Sequence, residues 1–239
     1  MPDSAFSGRF LGVLGGMGPM AGAAFMVRLT ALTDAATEQQ HVPAILWSDP
    51  RVPDRPSGYL GNGPDPLPWM QNGLMHLVHA GAQAIVVPCN TAHLWYEQMA
   101  ASISIPILHI VQAVIDDLRR NGIKQGRIGL LGTAVTLRLA LYQRMLEANG
   151  YKCVMLADDD LASYCTTAIL QVKANRLAEA YTPARRCIDL LRHRRVDAIV
   201  LGCTELPLAV PHEIRPDLGV VITDSIDALA LAAIDWHAG

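Results

Sequence analysis

The sequence predicts an α/β fold made of two similar units, each a mostly parallel sheet flanked by helices. Two observations carry this. Short apolar runs rich in Val, Ile and Leu alternate with longer segments of helical period, the pattern of strands buried on both faces. The pattern also occurs twice. Leu11-Gly12-Val13-Leu14-Gly15-Gly16 resembles Ile128-Gly129-Leu130-Leu131-Gly132-Thr133, and further along each half Ala84–Thr91 resembles Ala198–Glu205. Either match alone is weak, because Val/Ile strands look alike. Two in the same order, each bringing a cysteine to the same place, indicate duplicated structural units.

Taken in order, Phe10 to Leu14 reads as the first strand, closed by Gly15-Gly16-Met17-Gly18-Pro19 and followed by a helix from about Met20 to Asp34. Ala44 to Ser48 is a second strand. The Pro/Gly-rich stretch from Pro50 to Pro68 reads as a loop, and loops that long are usually functional or mobile. A helix near Trp69 to His79 precedes the strand Ala84 to Val87; then come Cys89, a further helix and a short strand from Pro106 to His109. In the second half Ile128 to Leu131 is a strand, Ala134 to Asn149 a helix and Lys152 to Leu156 a short strand. Helices across Ala162 to Asn175 and Thr182 to His193 lead to the strand Ala198 to Leu201, which delivers Cys203. Val220 to Thr223 and a helix from Ser225 close the chain.

Composition narrows the functional classes. With 239 residues, 51% hydrophobic and 17% charged, the chain can form one large α/β domain or two small ones sharing a cleft. A net charge of -3 gives no reason to expect nucleic acid or an anionic membrane as partner. Apolar runs such as Ala228 to Ile234 fall short of the roughly 20 residues a bilayer needs. No basic start followed by an apolar core marks a secretion signal, so a soluble, cytoplasmic protein is expected.

The five cysteines, Cys89, Cys153, Cys165, Cys187 and Cys203, are odd in number and show no Cys-x-x-Cys pair, which argues against a zinc or disulfide framework. Free cysteines are by default small buried hydrophobes. Cys89 and Cys203 stand apart. Each lies just past the carboxyl end of an apolar strand, where open parallel sheets place ligand crevices. Each also precedes a predicted helix, whose unpaired N–H groups and positive dipole end favour a thiolate. Asn90, Thr91 and Thr204 add side-chain donors and possible caps. A buried cysteine before a capped helix would explain one such site; the repeat weighs against that for two.

Two thiols across a cleft suit one kind of chemistry. Loss of the α-proton of an amino acid leaves a planar carbanion, and inversion needs a proton returned on the other face. One group acting as base and one as acid achieve this in either direction. A thiol, with an ordinary pKa of about 8.5, can be tuned towards neutrality by a helix terminus. Backbone amides after the two cysteines could stabilise the carboxylate as it takes on enediolate character.

At these residues the chain resembles the aspartate/glutamate racemase family, most nearly its pyridoxal-independent aspartate racemases. The resemblance runs through Leu11 to Pro19, Pro53-Asp54-Arg55, Pro88-Cys89-Asn90-Thr91-Ala92-His93 and Gly202-Cys203-Thr204-Glu205-Leu206. It implies two pseudo-symmetric lobes, residues 1–113 with 223–239 and residues 114–222, with the active site in the cleft between them. It further implies a homodimer, an amino-acid substrate, and neither cofactor nor metal. The family's catalytic cysteines fall on Cys89 and Cys203. Arg55 and Lys173 fall on the two cations that hold the substrate's side-chain carboxylate, a two-pronged donor and a point charge. From the sequence alone both would pass for solvated surface residues. Glu205 stands where many glutamate racemases have His, which favours aspartate over glutamate. Asn90, Thr91 and Thr204 are the expected substrate-binding partners. So is Met17, which sits in a turn whose backbone faces the cleft, although its side chain, like those of Met20, Met26, Trp69 and Trp95, suits packing.

Other features are open. The glycine-rich turn lacks the Gly-Lys-Ser/Thr of a nucleotide loop and does not complete a dinucleotide fingerprint. His93 could polarise the Cys89 thiol or merely pack its helix. Glu205 could orient a neighbour or favour a helix start. Gly22 and Pro56 stand where close relatives often carry Thr, which loosens the inference about substrate. The same fold supports maleate isomerase, hydantoin racemase and arylmalonate decarboxylase chemistry. A two-lobed small-molecule binding protein is the non-enzymatic alternative, and it leaves the matched thiols without a purpose.

Overall fold

The structure, a computed structural model, describes residues 8–239; the first seven, on which part of the leader expectation falls, lie outside the described residues. Among the described residues, eight strands form two four-stranded sheets. The first half supplies β1 (Leu11–Gly15), β2 (Ala44–Ser48), β3 (Ala84–Val86) and β4 (Ile107–Leu108); the second supplies β5 (Gly126–Leu131), β6 (Tyr151–Val154), β7 (Ala198–Leu201) and β8 (Val221–Asp224). The orders are β2-β1-β3-β4 and β6-β5-β7-β8, with every pairing parallel. The sequence repeat is therefore a repeat in space. Leu11 pairs with Ala84 in one sheet as Ile128 pairs with Ala198 in the other.

Helices cover both faces of the central strands, so β1, β3 and β7 are buried along their whole length and show no polar alternation. Alternate residues feed different cores. Leu11, Val13, Ala84 and Val86 share one core with Ile128, Leu130, Ala198 and Val200 of the second sheet. Leu14, Ile85 and Val87 face a second core with Met70, Leu74 and Leu77, and Leu131, Ile199 and Leu201 face a third with Ile188 and Leu191. The shared core holds the two sheets in one body. The closing helix Ser225–Ala238 returns to pack on helices Pro19–Leu32 and Ile110–Arg120. Asp224 starts it by accepting the N–H groups of Ile226 and Asp227, each at 2.8 Å, and Arg28 clasps Asp227 at 2.6 and 2.9 Å. Among the described residues no helix is long and apolar enough to cross a membrane.

Several elements differ from expectation. The predicted helix 134–149 is two, Ala134–Arg138 and Leu141–Ala148, because Ala140 adopts a left-handed φ of 55°. That conformation costs an Ala about 1–2 kcal/mol, and Gln143 recoups part of it by donating to the Leu137 carbonyl at 2.7 Å. The break turns fully buried Tyr142 towards the first half of the chain. The helix expected over 162–175 begins at Asp158 and passes through a π-helical turn, Leu161–Thr166. The expected loop 50–68 holds a short helix, Arg55–Tyr59, capped by Asp54, whose carboxylate accepts the Ser57 N–H at 3.0 Å. Helix Ile110–Arg120 occupies a stretch the sequence reading leaves unassigned. Met20 and Trp69 are exposed, at 36% and 41%, rather than packed.

Candidate active site

The site forms where β1, β3, β5 and β7 end. Gly16 makes the turn after β1 with φ +90°, and a β-carbon there would lie 2.3 Å from the Asp49 carbonyl, so only glycine fits against the β2 loop. That turn carries Met17 inward, where it is 2% exposed. Gly202 follows β7 under a milder constraint: a β-carbon would sit 3.0 Å from the Leu131 carbonyl and 3.0 Å from the Tyr142 ring.

Eight residues singled out from sequence, Met17, Arg55, Cys89, Asn90, Thr91, Lys173, Cys203 and Thr204, line one cavity. The two cysteines share this cavity, although each also packs against a different core, Cys89 with Met70 and Leu74 and Cys203 with Ile188 and Leu191. Pro56, Thr133 and Glu205 complete its wall. Arg55, Lys173 and Glu205 also border an adjoining, wider opening of about 640 Å3.

Each side chain is held in a particular way. Arg55 is buried, and its Nη1 donates to the Val52 and Pro53 carbonyls at 3.0 and 2.8 Å, while its Nε–H has no partner. A buried guanidinium with a free donor calls for an acceptor. Lys173 stands exposed at the end of helix Thr167–Lys173. Asn90 is fixed across the two halves: Tyr142 donates to its Oδ1 at 2.5 Å, and its Nδ2 donates to Ser225 at 2.8 Å. Its amide is thus oriented by the fold, with one N–H left over. Thr91, Thr133 and Thr136 form a hydroxyl triangle with edges of 2.8 to 3.3 Å, again joining the two halves.

The electrostatics depart from the sequence expectation at Cys203. A helix terminus was expected to ease its ionisation, but the helix that follows is only Leu206–Ala209, and Glu205 intervenes. Burial, and then the adjacent Glu205 carboxylate, push the Cys203 thiol well above its ordinary range. Its Sγ donates to Glu205 Oε2 at 3.0 Å, and Thr204 contacts the same oxygen at 3.4 Å. Cys203 rests as a thiol. Cys89 is likewise followed by a short turn, the 3-10 helix Thr91–Trp95, rather than a long helix.

His93 does not polarise a sulfur. Its Nδ1 bonds the Cys89 carbonyl at 2.9 Å, so that nitrogen carries the proton, and its Nε2 accepts from the Ile110 N–H at 3.2 Å. Burial and then neighbouring His109 push its pKa down to about 3. It is a neutral strut beneath the Cys89 loop. Glu205 and Thr133 are wall residues the sequence reading leaves out of its site; Thr133 falls opposite the glycine turn in the repeat, which was a usable signal. Tyr142 and Ser225 carried no such signal. The group of possible metal ligands among the described residues, His212, Asp224 and Asp227, does not line this cavity, and Arg215 and Arg28 take its carboxylates.

Comparison with known proteins agrees in fold and family. A family model described as Asp/Glu/Hydantoin racemase matches residues 14–233. The structure of an aspartate racemase from Picrophilus torridus is similar with a TM-score of 0.81 and 30% identity, covering 97% of this chain and 95% of that one. A broad specificity amino-acid racemase of Bacillus subtilis (strain 168) is 25% identical over 233 residues, 95% of this chain and 97% of its own. A glutamate racemase from Francisella tularensis subsp. tularensis SCHU S4, solved with D-glutamate, shares the fold at a TM-score of 0.68 and 14% identity, covering 95% of this chain and 80% of that one.

Proposed function

Because this chain belongs to the Asp/Glu/hydantoin racemase family, we propose that it racemises an acidic amino acid, aspartate first, by passing the α-proton between Cys89 and Cys203 without a cofactor. One observation carries the proposal: both sulfurs line a single cavity that also holds Arg55 and Lys173. Two cations suit the side-chain carboxylate of a dicarboxylic amino acid, and the partnerless Arg55 Nε–H leaves a buried donor for it. Glutamate and other amino acids are the next substrates.

The resting state follows from the surroundings of Cys203. A two-base exchange needs one sulfur protonated and the other not. Burial and Glu205 favour the protonated form of Cys203, which makes it the proton donor, with Cys89 as the base. One enantiomer is then deprotonated by Cys89 on one face and reprotonated by Cys203 on the other, which leaves the sulfurs in exchanged states ready for the reverse reaction. Negative charge developing on the α-carboxylate is met by hydroxyl donors at Thr91, Thr133 and Thr204 and by the remaining Asn90 N–H. The lobes are proposed as 1–113 with 223–239 and 114–222, acting in a cytoplasmic homodimer.

The test is incubation of each aspartate enantiomer in deuterated water with no added pyridoxal phosphate. Optical activity should decay as deuterium enters the α-carbon. Cys89→Ala and Cys203→Ala should each abolish inversion, while exchange on one enantiomer can survive. Normal racemisation by both variants would overturn the assignment.

A further inference from the structure

We infer that Glu205 is the receptor for the substrate's ammonium group, and so the residue by which the cavity selects amino acids over amine-free dicarboxylates. The inference rests on the proposed function and deepens it. Glu205 is 6% exposed yet lines both the cysteine cavity and the wider opening beside it. Its two oxygens differ. Oε2 accepts from the Cys203 thiol and Thr204, whereas Oε1 has no hydrogen-bond partner among the described residues. Gly18 faces Oε1 with backbone alone; a β-carbon there would lie 3.7 Å from it, in ordinary contact.

A buried carboxylate needs a cation or a set of donors. Neither Arg55 nor Lys173 makes an ion pair with it, although both line the same cavity. The charged side chains of that wall are thus two cations and one anion. With both cations turned to the side-chain carboxylate and the α-carboxylate met by neutral donors, Glu205 is the one anion of the wall, and the ammonium is the one group of a dicarboxylic amino acid that complements it. Holding the amine as ammonium beside the α-carbon also withdraws electrons from the carbanion that forms, so the contact serves the reaction as well as binding. The thiol on Oε2 and the ammonium on Oε1 would then be aligned by one carboxylate.

The experiment compares L-aspartate with succinate, its amine-free analogue, by calorimetric binding and by inhibition of racemisation, in the wild-type chain and in Glu205→Gln. Gln preserves the side chain's shape and removes its charge. Loss of a charge-assisted bond should weaken aspartate by roughly 10- to 100-fold, with succinate unchanged or tighter. Glu205→Asp should keep part of the preference for aspartate and guards against a folding defect in the first variant. Equal weakening of both ligands, or a fall in kcat with the preference intact, overturns the inference and leaves Glu205 as a partner of the thiol only. If the wild-type chain fails to racemise aspartate, the proposed substrate falls separately. Glu205 is then tested with the amino acid that is turned over and its deamino analogue, under the same criteria.

Discussion

Tyr142→Phe removes one oxygen from the centre of the molecule and tests how the two halves hold the cysteines. Tyr142 is fully buried, its hydroxyl donates to Asn90 Oδ1 at 2.5 Å, and its ring edge fills the space above Gly202. Asn90 follows Cys89 and Gly202 precedes Cys203, so one side chain touches both cysteine loops. Phe keeps the ring contact with Gly202 and loses the donor. Asn90, itself 3% exposed, is left with an unsatisfied carbonyl, a cost of about 1–3 kcal/mol. For a chain of this size each kcal/mol moves Tm by roughly 2–4 °C, so a fall of roughly 2–12 °C is expected. The released amide can rotate, the Cys89 loop loses definition, and kcat should drop while succinate still binds. Thermal melting and steady-state racemisation read the two effects. A variant that melts within about 2 °C of wild type, the lower edge of that range, and turns over at the normal rate would refute the coupling.

Two further outcomes follow from the charges. Because burial and then Glu205 hold the proton on Cys203, the difference in ultraviolet thiolate absorbance between Cys89→Ala and Cys89→Ala/Cys203→Ala should appear only above the ordinary thiol range of about 8.5. Above that value the unfolded chain loses this proton while the folded one keeps it, so the group subtracts stability as pH rises; a titration at or below the ordinary range would contradict the geometry. Arg55→Ala should raise KM for aspartate by roughly 10- to 100-fold and leave alanine, if it is a substrate, little affected; an equal loss for both would remove the side-chain role from Arg55.

Much of the fold was legible because parallel strands buried on both faces announce themselves as short apolar runs, and the duplication fixed where each run stood. The ends of β3 and β7, and so the places of Cys89 and Cys203, needed nothing more. Helix Ile110–Arg120 carries its own signal, with Ile110, Val111, Val114, Ile115 and Leu118 on helical spacing. The break at Ala140 was not legible, because nothing in Leu139-Ala140-Leu141 disfavours a helix; Tyr142's place between the two cysteine loops, reached through the break, decides it.

The sequence by itself determined which residues gather at the strand ends, since that depends on chain order and apolar period alone. Only the tertiary structure decided what those residues are chemically. The loss of water and then Glu205 set the proton on Cys203, the Cys89 carbonyl and the Ile110 N–H fix the His93 tautomer, and Tyr142 with Ser225 orients Asn90. Desolvation and several of the partners come from segments distant in the chain, and a proton's affinity for an atom is set by everything that surrounds it, not by its sequence neighbours alone.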